Sequence, residues 1–341
     1  MSACFVVQKA FHGLVAVALA GLMLTGCSNS QNGNGGNSGE NTSGTATAAK
    51  SGKKLTVGFS QIGAENPWRT AETASIRDEA PKRDINLKFS DAQGKQENQV
   101  AALKSFIAQK VDAIILAPKV ETGWEAVLMQ AKAAKIPVIL VDRGVTVNDQ
   151  SLYTTLIASD FVAEGRRAGE WLADKTSGTA RIVELQGTAG AAPANDRHKG
   201  FAEAISKHPG MQIIRSQSGD FNRAKGKEVM EAFLKAEPNI NAVYAHNDDM
   251  ALGAIQAIEE AGKKPGQDIL VVSIDGMKAM LEAIAAGKAN CTVECNPLLG
   301  PAAFDAVEKA VKGEELPKKT IVEDQLFDQS NAAKALPERK Y

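Results

Sequence analysis

Polar residues recur in this sequence at or soon after the ends of short apolar runs. Asn66-Pro67-Trp68-Arg69, Asp91, Asp142-Arg143, Gln186, Asp220-Phe221, Asn247-Asp248 and Asp275 all stand in such places. This mixture suits a neutral polyol. A sugar ring has two apolar C–H faces, which Trp68 and Phe221 can cover, and a rim of hydroxyls that both donate and accept. Carboxylates accept at that rim and guanidiniums donate, often through two parallel hydrogen bonds. An anionic ligand fits worse, because Asp91, Asp142, Asp220 and Asp275 bring too much negative charge. A purely apolar ligand would strand the polar groups without partners.

Each of these residues also has a structural alternative. Asp and Asn before a helix cap its free N–H groups, and capping is the favoured reading for Asp160 and Asp249. Trp68 and Phe221 remain open between ligand stacking and core packing, whereas Trp124 and Trp171 lie on helical patterns and read as core. Asp142-Arg143 favours ligation, because an adjacent acid and base at a buried strand end offer both hydrogen-bond polarities.

Enzyme signatures are missing. The sequence has no Gly-x-Ser-x-Gly elbow, no phosphate-cradling Gly-x-x-x-x-Gly-Lys-Ser/Thr and no His-Glu-x-x-His. Its four His (12, 198, 208 and 246) are scattered. Asp142 and Asp275 could in principle act as a glycosidase pair, but nothing in the sequence sets their separation. Cys291 and Cys295 lie four apart on a stretch that reads as a strand, about 13 Å end to end, so both are expected as free thiols; a tight turn there would permit a bridge. No metal site and no cofactor follow, and the chain reads as a non-enzyme.

The elements that must position these residues alternate regularly. Strand-like runs fall at 55–59, 85–89, 113–117, 138–141, 153–158, 182–185, 212–214, 242–245 and 270–274, with helical patterns at 99–109, 126–134, 224–236 and 250–261 between them. Strands alternating with helices demand right-handed crossovers and parallel sheets. That many strands exceed one doubly wound unit, so the expected fold is α/β with two successive parallel-sheet lobes. Ligands of such sheets sit outside the carboxyl ends of the strands. The 341 residues allow about two domains. With 39 Lys+Arg against 40 Asp+Glu there is no electrostatic reason to expect nucleic acid as a partner.

The amino terminus reads as an address. A sparse basic start leads into an apolar core of about 11 residues, too short to span a bilayer but suited to a signal peptide. It ends in Leu24-Thr25-Gly26-Cys27, similar to the bacterial lipobox, in which the Cys is lipidated and becomes the new N-terminus. Residues 1–26 are therefore expected as a lipoprotein signal peptide and Cys27 as the lipidation site. Residues 27–53, rich in Asn, Gly, Ser and Thr, are expected as a flexible linker. The mature chain is then extracytoplasmic, lipid-anchored in the periplasm or at the cell surface.

From about residue 55 onward the chain resembles the periplasmic-binding proteins of the ribose/galactose type, soluble receptors of ABC sugar importers. The resemblance is carried by Asn66-Pro67-Trp68, Val141-Asp142-Arg143, 157–160 (IASD), 184–187 (ELQG), 196–201 (DRHKGF), 219–223 (GDFNR), 246–253 (HNDDMALG) and 274–276 (IDG). Within that family 59–63 (FSQIG), Trp68-Arg69, 94–98 (GKQEN) and 122–125 (TGWE) are most similar to galactofuranose-binding members.

The resemblance implies a type I fold whose two lobes are joined by a three-strand hinge. It puts crossings near Ser159-Asp160, Glu294-Cys295 and Ile321-Val322, with one lobe of 54–158 plus 296–320 and another of 159–295 plus 321–341. It implies that Asn66, Trp68, Asp142 and Arg143 from the first lobe, and Arg197, Phe221, Asn247 and Asp275 from the second, bind a monosaccharide by hinge closure. Arg69 stands where ribose receptors carry a second aromatic, and Cys295 where they carry a hinge Gln that contacts ligand. Both departures argue against a simple ribose site. The implied partners are the sugar, an ABC permease and through it its ATPase, with the membrane reached through Cys27 and the protein a monomer. The alternatives are a receptor signalling to a chemoreceptor or sensor kinase, or a binder of another sugar such as ribose or galactopyranose.

Overall fold

The computed structural model describes residues 54–341. The expected signal peptide, the lipidation site Cys27 and the linker lie outside the described residues. From Lys54 onward strands and helices alternate: β1 (Thr56–Gln61), α1 (Pro67–Lys82), β2 (Asn86–Asp91), α2 (Gln96–Ala108), β3 (Ala113–Leu116), α3 (Glu125–Ala133), β4 (Val138–Val141), β5 (Thr155–Ala158), α4 (Phe161–Lys175), β6 (Thr179–Gln186), α5 (Ala192–Ile205), β7 (Gly210–Ser218), α6 (Arg223–Ala236), β8 (Ala242–Ala245), α7 (Asp248–Glu260), β9 (Leu270–Asp275), α8 (Lys278–Ala285), β10 (Cys291–Glu294), α9 (Gly300–Lys312), β11 (Lys319–Ile321), β12 (Leu326–Asp328) and α10 (Ala332–Ala335).

The strands form two sheets, ordered β11-β5-β4-β3-β1-β2 and β12-β10-β9-β8-β6-β7. All pairings are parallel except β10 with β12. Helices cover both faces, so the central strands β3 (AIIL), β4 (VILV) and β8 (AVYA) are buried at every position. The strand period of two sorts their side chains: Ala113 and Ile115 pack with α1 and α9 on one face of the first sheet, Ile114 and Leu116 with α2 and α3 on the other. Each sheet reverses its winding beside its first strand, between β1 and β3 and between β6 and β8. These reversals open crevices at the carboxyl ends.

The chain passes from one sheet to the other three times, after β5, after β10 and between β11 and β12. The last two strands are three residues each and carry no readable periodicity, so pattern alone does not find them. Helix starts differ slightly from the sequence expectation: α2 begins at Gln96 rather than at 99, and α7 at Asp248 rather than at 250. Both first turns are polar, which hides them from an apolar pattern. Asp160 caps α4 as expected, accepting from the Ala163 N–H. Asp249 does not cap: Asn247 takes that role on α7, and Asp249 pairs with Arg223 at 2.6 Å instead. Cys291 and Cys295 are free, buried thiols. Trp124 is fully buried, its indole N–H donating to the Val120 carbonyl, and Trp171 packs half-buried on the second lobe.

Candidate functional site

Asn66 sits before α1 with extended backbone. Its side chain accepts from the Arg69 N–H at 2.8 Å while Pro67 takes the first helical position, where no N–H is needed. This start fixes Trp68 and Arg69 on the first turn. On the second sheet Asn247 does the same for α7, accepting from the Met250 N–H at 3.0 Å. Both side-chain amides also donate to one carbonyl, that of Phe221, at 3.3 Å each, so the two half-sites meet at this oxygen.

Backbone strain is concentrated in the same place. Asp142, Asp220, Phe221 and Asp275 have φ of 60°, 59°, 57° and 133°. Left-handed backbone at non-glycine residues costs about 1–3 kcal/mol each and persists where the surroundings enforce it. Asp142, Phe221 and Asp275 of this set line the space between the sheets. The Phe221 ring lies against Gly187, where an added Cβ would fall 1.9 Å from the Phe221 Cζ.

Asn66, Trp68, Arg69, Asp142, Arg143, Arg197, Phe221, Asn247 and Asp275 together line one cavity of about 280 Å³ between the sheets, with Pro193 and Cys295 completing it. Trp68 is 4 % exposed and its indole N–H donates to the Cys295 carbonyl at 2.5 Å. Arg143 stacks over the Phe221 ring at 5.2 Å and Arg197 over it at 6.0 Å. Trp68 and Phe221 both belong to core clusters and both line the cavity.

Asp91 departs from this set. β2 is the outermost strand of its sheet, so its carboxyl end opens away from the central crevice. The Asp91 carboxylate accepts from the Gln93 N–H at 2.7 Å and lines a separate groove with Phe89 and Phe106. Asp220 likewise pairs with Lys225 outside the cavity, although Phe221 beside it reaches in. Sequence reasoning missed Pro193, whose only signal is its position at the start of α5.

The electrostatics are dense. Arg69 Nη1 lies 2.6 Å from Glu72 and 2.8 Å from Asp142, and Arg143 Nε lies 3.4 Å from Asp142. Burial opposes the charge on Arg69, but Asp142, Glu72 and Glu65 outweigh it and hold the guanidinium above its ordinary value. Burial and the nearby Arg69 charge pull Arg143 down to about 10 against the attraction of Asp142. Arg197 donates to Glu164 at 2.7 Å and to the His246 carbonyl at 2.7 Å, and stands 3.8 Å from Asp275. Burial pushes the Asp275 carboxyl well up, opposed by Arg197. At the rim, the Glu121 N–H donates to the Gly190 carbonyl at 3.0 Å and Asn195 donates to the Glu121 carboxylate at 2.6 Å, so the sheets' loops meet outside the cavity too.

Two parallel-sheet lobes joined by three chain crossings, with a small polar cavity between them, define a two-lobe solute receptor. Residues 57–315 match the family model of the periplasmic binding protein domain, and the chain belongs to that family. It is 54% identical over 291 residues to the galactofuranose-binding protein YtfQ of Escherichia coli K12, covering 84% of this chain and 92% of that protein. Among solved structures it is similar to the periplasmic binding protein component of the arabinose ABC transporter from Shewanella sp. ANA-3, bound to α- and β-L-arabinofuranose. The two share 55% identity and a TM-score of 0.82, over 84% of this chain and 96% of that one. A Mycobacterium smegmatis protein in complex with β-D-fucofuranose gives 54% identity and a TM-score of 0.82, over 84% and 95%. Among the described residues no helix is long and apolar enough to cross a membrane.

Proposed function

We propose that this chain is the solute receptor of an ABC importer and captures a neutral monosaccharide in its furanose form, without chemical turnover. One observation carries the reading: nine of the expected ligand-binding residues, drawn from both lobes, line a single cavity. Guanidiniums, carboxylates and amides line it together with two aromatic side chains. The furanoses bound by the two similar solved proteins support a five-membered ring.

The mechanism is hinge closure. The lobes are 54–158 with 296–320, and 159–295 with 321–341. Open and closed arrangements interconvert, and a ligand touching Trp68, Asp142 and Arg143 on one side and Arg197, Asn247 and Asp275 on the other selects the closed one. The closed pair of lobe surfaces is what a permease reads. Residues 1–26 act as a signal peptide, Cys27 carries the lipid, and residues 27–53 tether a monomeric receptor outside the cytoplasm.

The test is a thermal-shift panel of L-arabinose, D-galactose, D-fucose, D-ribose and D-glucose, followed by NMR of the bound C1-labelled sugar. A ligand at 100 times its Kd adds about 2.7 kcal/mol of stability. The expected result is stabilisation by arabinose, galactose or fucose with furanose anomeric signals in the complex. Stabilisation by none of the five, or a bound pyranose, overturns the reading.

A further inference from the structure

We infer that Glu72 and Glu164, neither of which lines the cavity, are positioning residues that set the two arginines through which each lobe meets its ligand. The inference rests on the cavity being the ligand site and adds the residues that give it shape.

The two carboxylates occupy matching places behind the half-sites. Glu72 lies one helical turn beyond Arg69 on α1 and is fully buried. Its Oε2 accepts from Arg69 Nη1 at 2.6 Å and from Gln61 Nε2 at 2.9 Å. Gln61 is the last residue of β1, and its side-chain oxygen accepts from the Ile62 N–H, so the carboxylate is tied to a strand end. Glu164, 1 % exposed, belongs to α4 and accepts from Arg197 Nε of α5 at 2.7 Å.

That reach depends on a close helix crossing. A Cβ on Gly165 would fall 2.1 Å from the Arg197 carbonyl oxygen, and one on Gly200 2.0 Å from that of Val162. Only glycine at both positions lets α4 and α5 approach far enough for the pair to form. One lobe therefore uses neighbours on a single helix and the other uses two helices, yet both place a buried carboxylate behind a cavity arginine.

Stability does not account for this arrangement. Glu72 Oε1 is buried with no hydrogen-bond partner, and beyond Arg197 the Glu164 carboxylate bonds only the buried Cys295 thiol. An ion pair held out of water is worth little to the fold, because desolvation offsets the attraction. What it supplies is orientation. Glu72 and Asp142 share Nη1 of Arg69, and Glu164 takes Nε of Arg197 while the His246 carbonyl takes Nη1, leaving Nη2 of Arg197 facing Asp275 at 3.8 Å. Each arginine is also neutralised locally, so the ligand meets fixed donors and a weak net field, as a neutral polyol requires.

The test is a pair of double-mutant cycles read by calorimetric titration with L-arabinose: Glu72→Ala with Arg69→Ala, and Glu164→Ala with Arg197→Ala. Each glutamate variant is expected to weaken binding at least tenfold, and each double variant to bind no more weakly than its arginine variant alone. Glu72→Gln and Glu164→Gln, which keep shape and one acceptor, are expected to recover part of the loss and serve where the alanine variants do not fold. Losses that multiply in the double variants, or glutamate variants that bind as the parent does, overturn the inference.

An unliganded readout keeps it separate from the sugar reading. The Arg197 Nε–H, which donates directly to Glu164, is expected to exchange with water at least tenfold more slowly than that of the half-exposed Arg166, and to lose that protection in Glu164→Gln or Glu164→Ala. Equal exchange in parent and variant overturns the inference even if arabinose does not bind. Failure of arabinose to bind, with protection present and lost as stated, overturns only the choice of sugar.

Discussion

The two half-sites solve one problem with different redundancy. The first lobe presents two guanidiniums, Arg69 and Arg143, on the shared carboxylate of Asp142. Their mutual repulsion contributes to pulling Arg143 down to about 10. The second lobe presents one, Arg197, held well above its ordinary value by Glu164 against burial. The aromatic side chains divide differently. Trp68 leaves the first lobe to pack with the second lobe's core and to donate to the Cys295 carbonyl at a crossing. Phe221 stays on the second lobe and is covered by Arg143 of the first. The first half-site is thus crowded and anchored near the hinge, whereas the second relies on single groups held by backbone shape.

Removing one arginine from each side separates these cases most sharply. Arg197→Ala leaves Glu164 buried without its partner, a change that costs about 3–5 kcal/mol of stability. It also removes the second lobe's only cavity guanidinium, so binding is expected to fall at least a hundredfold. Arg143→Ala relieves a like-charge contact while Arg69 still neutralises Asp142. Its stability is expected to change by less than about 1 kcal/mol, with a roughly tenfold loss of affinity from the lost donor and its stacking on Phe221. Denaturation and calorimetric titration of both variants check this. Equal losses on the two sides would erase the asymmetry.

A smaller effect probes the shape-held aromatic. In Gly187→Ala the new methyl carbon falls 1.9 Å from the Phe221 Cζ, so the ring has to leave its place. Phe221 already has φ of 57° and cannot follow easily. Affinity is expected to drop about tenfold, since a well-placed aromatic face contributes about 0.5–1.5 kcal/mol beyond its buried area. Overpacking is expected to cost about 1–3 kcal/mol of stability. Titration with the sugar that stabilises the parent decides it: unchanged affinity would mean that the Phe221 ring is wall and not contact.

The asymmetry was only partly legible in the sequence. Asp142, Asn247 and Asp275 stand out because a polar residue ending an apolar run marks a sheet's carboxyl edge. The rule misfires at Asp91, because a run of residues does not reveal whether its strand is central or outermost, and β2 is outermost. Asn66 and Asn247 were readable either as caps or as site residues; both cap their helices and both line the cavity, each amide's remaining donor going to the Phe221 carbonyl. Glu72 was visible in principle as an acid one turn from Arg69. Glu164 was not, because 33 residues and a glycine-dependent helix crossing separate it from Arg197. The β11 and β12 pairings were invisible for a simpler reason: three residues are too few to show a period.

The smallest expected effect joins the halves through the hinge. Asp324 lies between β11 and β12. Its carboxylate accepts from the Asn296 N–H at the second crossing and bonds Ser159 at the first, so one side chain touches all three. Burial first, and then the charge of Glu164, push it up to about 7. An unfolded Asp titrates near 3.9, so between about pH 4 and 7 the folded chain holds a proton that the unfolded chain has lost. Stability therefore falls as pH rises through that window. Asp248, also raised to about 7 by burial, acts in the same direction. Glu184, held low by His198 and His246 against burial, matters only below it. The two histidines oppose each other, His198 being raised by Glu184 and His246 lowered by burial. Asp324→Asn is expected to leave melting near pH 4 unchanged and to raise it by roughly 2 °C at pH 7, about 1 kcal/mol in a domain of this size. Because Glu164 contributes to the shift and Glu72 does not, Glu164→Gln is expected to reduce the benefit of Asp324→Asn while Glu72→Gln leaves it intact. Melting curves of the parent, the three single variants and the two double variants from pH 4 to 8 measure this, and an equal influence of both glutamates would place the hinge carboxylate midway between the lobes rather than under the control of the second.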